Sequence, residues 1–292
     1  MRLPLDQWLE QSVDSKHGAL PQHTQILKTV IEDNITPENA AQQLIDNTSS
    51  SRDREDTAYR LWNLLFHTAT NLPSYNNAIV DLTLAIYNVP PSPQAPDILS
   101  YHLWTNWQDI YSYYHTYRTL ASRAAQNTLT NADRWINFTC FSATLLNQSN
   151  NEIFVRETGI HAFFDLRNAL EMTLETHAEK TLLQNSVVTA EQALETDVVA
   201  AAQWVLHASD KLLQLDNAVF GEKWRRGLSK ETELWDGETG FSRRRWNFWA
   251  GRFEEIAKED WMSEKGSNVT QEAGEVIRRG LRNRSGSNLF AM

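Results

Sequence analysis

Apolar positions along this chain recur every three or four residues, and few runs alternate apolar with polar. That period belongs to helices with one buried face. Ile26, Val30 and Ile31 share a face between Gln25 and Glu32. Thr36-Pro37 reads as an N-cap followed by proline at the first helical position, opening a helix through Leu44 and Ile45. Thr48 to Asp53 reads as a polar loop, and Asp53 to Asp56 as the acidic start of the next helix. From Glu55 to Ala69, Tyr59, Trp62, Leu65 and Phe66 form a continuous stripe. Further helices are predicted over Asn77–Tyr87, within Asp97–Arg123, over Asn131–Leu146, Ala162–Leu183 and Thr189–Leu215, from Ser242 to Glu259, and over Asn268–Arg282. Thr189–Leu215 is the longest expected helix. Its interior, Val198 to Leu206, is apolar on nearly all sides and belongs at the centre of a bundle. The pattern predicts an all-α protein, a compact array of about ten to twelve mostly antiparallel helices. It is read as a single domain over 1–292, with a hinge or strap at Pro90–Pro96, where four prolines fall in seven residues, and a frayed tail over 283–292.

Composition narrows the function classes. The 292 residues carry a net charge of −10, which disfavours nucleic acid as a partner. No apolar leader follows Met1-Arg2 and no run reaches the roughly 18 apolar residues of a membrane span, so the expectation is a soluble, cytoplasmic protein. Cys140 is the only cysteine, which rules out an intramolecular disulfide; in Phe138–Phe141 it reads as a small buried hydrophobe. The sequence contains no GxGxxG, P-loop, HExxH, GxSxG, CxxC or DDxxD pattern, and its histidines lack ligand spacing. No cofactor and no metal are expected.

The candidate chemistry is aromatic. Trp104, Trp107, Tyr111 and Tyr114 recur at three or four residues, a ladder that continues to Tyr117. Trp246, Trp249 and Phe253 form a second stripe. Both read first as core. If they bound a small organic molecule, the ladder facing the Trp246–Trp249 helix is the expected wall. His161 and Asp165, four apart on one helix, and Arg245 beside Trp246 are the polar groups expected to act there. Arg243, Arg244 and Arg245 sit at a helix start, against the macrodipole, and call for Asp236, Glu238 or an anionic partner as compensation. Arg167 and Glu171 are spaced as an ordinary helical ion pair.

Four blocks carry a family resemblance: Asp133-Arg134-Trp135-Ile136-Asn137 with Phe141-Ser142-Ala143; Leu166-Arg167-Asn168-Ala169-Leu170-Glu171; Ala200-Ala201-Ala202-Gln203-Trp204-Val205; and Leu234-Trp235 through Gly240-Phe241-Ser242 to Arg245-Trp246 and Phe253. On these the chain resembles the fungal DUF3632 family from about residue 55 onward. The resemblance implies an all-helical protein and supplies no catalytic residue. By association it points to a cofactor-independent tailoring protein of fungal specialised metabolism, a cyclase or isomerase acting on a hydrophobic small molecule. The alternative is a non-catalytic helical interaction module.

Overall fold

The computed structural model describes residues 5–13, 18–89, 98–121, 129–215 and 217–287. Among them are thirteen α-helices, two short 3-10 turns at Pro73–Tyr75 and Asn217–Phe220, and no strand. The fold class is all-α, as the periodicity predicts. Pro90–Pro96 lies outside the described residues. The chain divides into two compact units, 1–118 with 122–141 and 119–121 with 142–292.

The first unit holds α1 (Leu5–Val13), α2 (Pro21–Ile31), α3 (Pro37–Ser50), α4 (Arg54–Asn71), α5 (Asn76–Asn88), α6 (Ile98–Tyr117) and the start of α7 (Asn131–Gln148). Thr36 caps α3 with Pro37 at its first position, and its side chain accepts the Asn39 amide. The expected polar loop after Ile45 is helix as far as Ser50. Thr48 lies within that helix and satisfies its hydroxyl on the Leu44 carbonyl. Asp53 then caps α4 by accepting the Asp56 amide. Helix α4 is the axis of this core. Trp62 stacks on Phe66, Phe66 meets Phe138 and Phe141, and Trp62 donates its indole N–H to the Leu99 carbonyl at 2.8 Å.

The second unit holds the end of α7, then α8 (Glu152–Leu170), α9 (Leu174–Thr181), α10 (Ala190–Leu212), α11 (Gly221–Leu228), α12 (Arg243–Ile256) and α13 (Glu264–Ser287). The single helix expected over Ala162–Leu183 is two. Helix α8 starts ten residues earlier, capped by Asn151, and ends at Leu170. Thr173 caps α9 by accepting the Thr176 amide. Helix α10 is central, as its all-round apolar surface predicts: α8, α9 and α13 pack on it, and Trp204, Val205 and Ala200 to Ala202 are buried. Thr189 and Gln192 close a capping box at its start. At 24 residues α13 is slightly longer than the 23 of α10, and it runs past Arg282 to Ser287. Cys140 is partly exposed rather than buried. No described helix is long and apolar enough to cross a membrane.

Candidate functional site

Two clusters of polar side chains sit inside these aromatic cores, one in each unit. In the second unit the centre is Glu171, the residue that ends α8, with 0 % of its side chain exposed. Its carboxylate is saturated. Arg245 donates Nε to Oε1 at 2.6 Å and Nη2 to Oε2 at 2.8 Å. Trp249 donates its indole N–H to Oε1 and Thr232 its hydroxyl to Oε2, both at 2.8 Å. The remaining Arg245 nitrogen reaches the carbonyls of Gly240 and Glu238 at 3.2 and 3.4 Å. The guanidinium lies 4.8 Å from the Phe163 ring centroid and 5.2 Å from that of Trp235. Glu171 therefore pairs with Arg245, seventy-four residues away, and not with Arg167 as the helical spacing suggests. Arg167 instead donates to the Gly227 carbonyl and stacks on Phe164. Burial holds its guanidinium below the ordinary value; Glu171 opposes that shift and Arg245 adds to it.

The glycines of the turn before α12 follow from this packing. Gly240 has φ +64°, and a Cβ there would lie 2.2 Å from Asn217 Oδ1, the atom that accepts the Phe241 amide. A Cβ on Gly237 would lie 2.5 Å from the Trp235 ring. Ser242 caps α12 as the sequence predicts. The three arginines that follow are compensated separately: Arg245 by Glu171, Arg244 by Asp236 at 4.0 Å, and Arg243 by the Leu281 carbonyl.

The predicted site residues fall in both units. Trp246 and Trp249 stand edge to face at 4.9 Å in the second core, with Phe241 stacked on Trp246. Asp165 is buried and accepts the Trp204 indole N–H at 2.8 Å. His161 is half-buried on α8. These hydrogen bonds commit Asp165 and Arg245 to partners inside the protein. A second buried pair escaped the sequence reading: His177 Nε2 meets Asp197 Oδ2 at 2.8 Å, joining α9 to α10. The two are twenty residues apart on different helices, so no local spacing announces them.

In the first unit, Trp107 and Tyr111 stack at 5.2 Å, Trp107 packs on Phe138, and Tyr111 meets Trp135 edge on. Trp104 is partly exposed beside Trp107. Tyr114 completes the buried side of the ladder and differs in its surroundings. Its hydroxyl lies 3.2 Å from His67 Nδ1 on α4. One turn on, Asn71 accepts Arg134 Nε at 2.9 Å, and Asn131 accepts Arg134 Nη1 at 3.2 Å. Asn137 donates to the Thr70 carbonyl. Three helices thus bring an imidazole, a phenol and a guanidinium together inside an aromatic core. Burial first, and the Arg134 charge second, push the His67 imidazole down to about 4, so it is neutral at pH 7. Burial raises the Tyr114 phenol, while Thr70, Arg134 and Asn71 act the other way. The sequence carried a trace of this cluster in the polar positions His67, Thr70 and Asn71 on α4 and Asn131, Arg134 and Asn137 on α7, each set at three- or four-residue spacing. Local spacing does not reveal that the two sets meet.

Among the described residues no three His, Cys, Asp or Glu side chains gather as a metal set. An open groove of about 500 Å³ runs between α3 and α5, lined by Pro37, Glu38, Asp81, Leu84, Asn88 and neighbouring residues and by none of the predicted wall. A comparison with curated proteins and one with solved structures find no match to the chain. A family model described as a protein of unknown function, DUF3632, matches residues 62–253, a span that contains both polar clusters. With about two thirds of its length so matched, the chain belongs to the DUF3632 family.

Proposed function

We propose that this chain is a cofactor-independent tailoring protein of fungal specialised metabolism, a cytoplasmic cyclase or isomerase acting on a hydrophobic small molecule, and that His67, Tyr114 and Arg134 carry its chemistry. The observation that supports this reading is the convergence of a neutral imidazole, a buried phenol and a guanidinium from three helices. Buried groups with perturbed titration, here His67 and Tyr114, mark a candidate reactive site. His161, Asp165 and Arg245, the polar groups first expected to act, lie in the second unit, where Arg245 and Asp165 bond to Glu171 and Trp204. What favours the first unit in this reading is the shifted imidazole of His67 beside the Tyr114 phenol.

In the reaction class proposed, a substrate carbonyl lies against the Tyr114 hydroxyl and the Arg134 guanidinium. Neutral His67 takes a proton from the adjacent carbon, and negative charge develops on the carbonyl oxygen, where phenol and guanidinium stabilise it. That nearby anion raises the basicity of the imidazole, which burial and Arg134 otherwise keep low. Return of the proton to a different carbon completes an isomerisation with no change in formula. Trp107 and Tyr111 supply the apolar surroundings that strengthen these interactions.

Deletion of the gene with untargeted metabolite profiling tests this. The expected result is loss of one metabolite and accumulation of an isomer of the same formula. An unchanged profile, or a precursor that differs from the lost product by oxidation or group transfer, contradicts it. The second reading, a non-catalytic interaction module, is favoured by one observation: in both units the aromatic rings pack chiefly on one another, as in a filled core. Metabolite profiling separates the two, because a module leaves no isomeric precursor.

A further inference from the structure

The two hydrogen-bond donors of the polar cluster in the first unit come from different helices. Tyr114 reaches in from α6 and Arg134 from α7. Asn71 on α4 lies beside both: its Oδ1 accepts Arg134 Nε at 2.9 Å, and its side chain is a hydrogen-bond partner of the Tyr114 hydroxyl. His67, one turn before Asn71, brings its Nδ1 within 3.2 Å of that hydroxyl. In the tautomer with the proton on Nδ1 donated to the Tyr114 oxygen, the lone pair is on Nε2 and the Tyr114 O–H is left to donate. The imidazole is buried on most sides but not sealed. Tyr59, Asn63 and His67 follow one another at four-residue spacing on α4, and none of the three is fully buried. On α6, Tyr113, whose ring meets that of Tyr114 at 5.2 Å, is 49 % exposed.

We infer, resting on the reading of His67, Tyr114 and Arg134 given above, that the substrate of this site is a β-dicarbonyl compound, which loses its proton from the carbon between its two carbonyl groups. Two donors fit two oxygens. The enolate of a simple ketone gathers its charge on one oxygen, whereas that of a β-dicarbonyl divides it between two, and the cluster sets a phenol and a guanidinium on separate helices to meet them. Base strength points the same way. Burial and Arg134 hold the His67 imidazole to about 4. Each unit by which a carbon acid exceeds its base costs about tenfold in the proton-transfer equilibrium. A second carbonyl acidifies the carbon between by many orders of magnitude, which brings it within reach of so weak a base. The step balances without a co-reactant. Nε2 takes the proton, the C–H electron pair spreads over the two carbonyls, and Tyr114 and Arg134 each hold one oxygen. Return of the proton to the opposite face of that carbon, or to a carbon conjugated with it, gives an isomer of the same formula.

Deuterium exchange of two probes by the full chain tests this, followed by proton NMR in deuterated buffer at neutral pH. The probes are ethyl α-methylacetoacetate, a β-dicarbonyl, and cyclohexanone, a simple ketone. The wild-type chain is expected to speed exchange of the first by roughly a hundredfold over buffer and to leave the second at the buffer rate. His67→Phe should return the first to the buffer rate, and Tyr114→Phe should slow it by roughly tenfold or more. Circular dichroism confirms that both variants are folded, and the comparison of probes on the wild-type chain needs neither. Equal acceleration of both probes, lost in His67→Phe, overturns the substrate class and leaves the site standing. No acceleration of either probe, or acceleration that survives His67→Phe, overturns the site and the substrate class together.

Discussion

Glu171 is a fully buried charge, and its stability depends on every donor it accepts. Removing one member of a buried ion pair leaves the other uncompensated, at a cost of about 3–5 kcal/mol. Glu171→Gln and Arg245→Met should each show a loss of that order in urea denaturation. The double variant Glu171→Met with Arg245→Met should lose much less than the sum, because both buried charges leave together. Trp204 acts through size and through one hydrogen bond. Trp204→Ala should cost about 3–5 kcal/mol, whereas Trp204→Phe keeps most of the ring and strips Asp165 of its indole donor, costing about 1–3 kcal/mol. Histidines govern the pH response. His23 is fully buried, and burial lowers its imidazole to about 4, as burial and Arg134 do for His67. As pH falls through the ordinary 6.5, the unfolded chain takes up protons that the native chain refuses until about 4. The stability they contribute is complete above 6.5 and lost between 6.5 and 4, by about 3 kcal/mol for a shift of this size. His23→Phe should flatten denaturation midpoints across that window. An unaltered slope would show that His23 does not titrate as described.

At the scale of the element, the sequence was most legible where a local rule acts alone. Thr36 and Ser242, read as caps, are caps in the structure, because capping needs only one side chain and the first turn; Asp53 and Thr189, read only as helix starts, cap as well. It was least legible where a distant partner decides. Helix α8 stops at Leu170 although Leu174 continues the apolar pattern, because Glu171 is taken by Arg245 and its carbonyl by the Leu234 amide. Helix α10 reads as unbroken, yet Ala208 leaves helical geometry at φ −138°. The Trp-Gly-Gly-Phe-Arg-Trp block was recognisable as a pattern, but its purpose, closing a turn over a buried carboxylate 60 to 80 residues away, has no local signature. Ser242→Ala should cost about 1 kcal/mol. Gly240→Ala should cost more, since the new methyl meets Asn217 and the backbone stays at positive φ. Thermal melts of the two variants check that order.

At the scale of the whole molecule, helical periodicity was enough to establish the fold class, since it is written into every segment. The polar cluster proposed as the site was not legible, because its groups come from α4, α6 and α7 and meet only through tertiary packing. The sequence singled out Tyr114 for its ring, and the structure shows that its hydroxyl has the more unusual environment. Chelator treatment should leave the melting temperature unchanged, given that no metal set forms among the described residues; stoichiometric metal in the purified chain would contradict this. The most direct test of the account replaces Tyr114 with Phe, which removes one oxygen and keeps the ring. A deletion strain is complemented with wild-type chain or with Tyr114→Phe, after circular dichroism shows that the variant is folded, and the ratio of product to isomeric precursor is measured. The account predicts that wild-type chain restores the product while Tyr114→Phe leaves the precursor accumulated. Full restoration by Tyr114→Phe would contradict it.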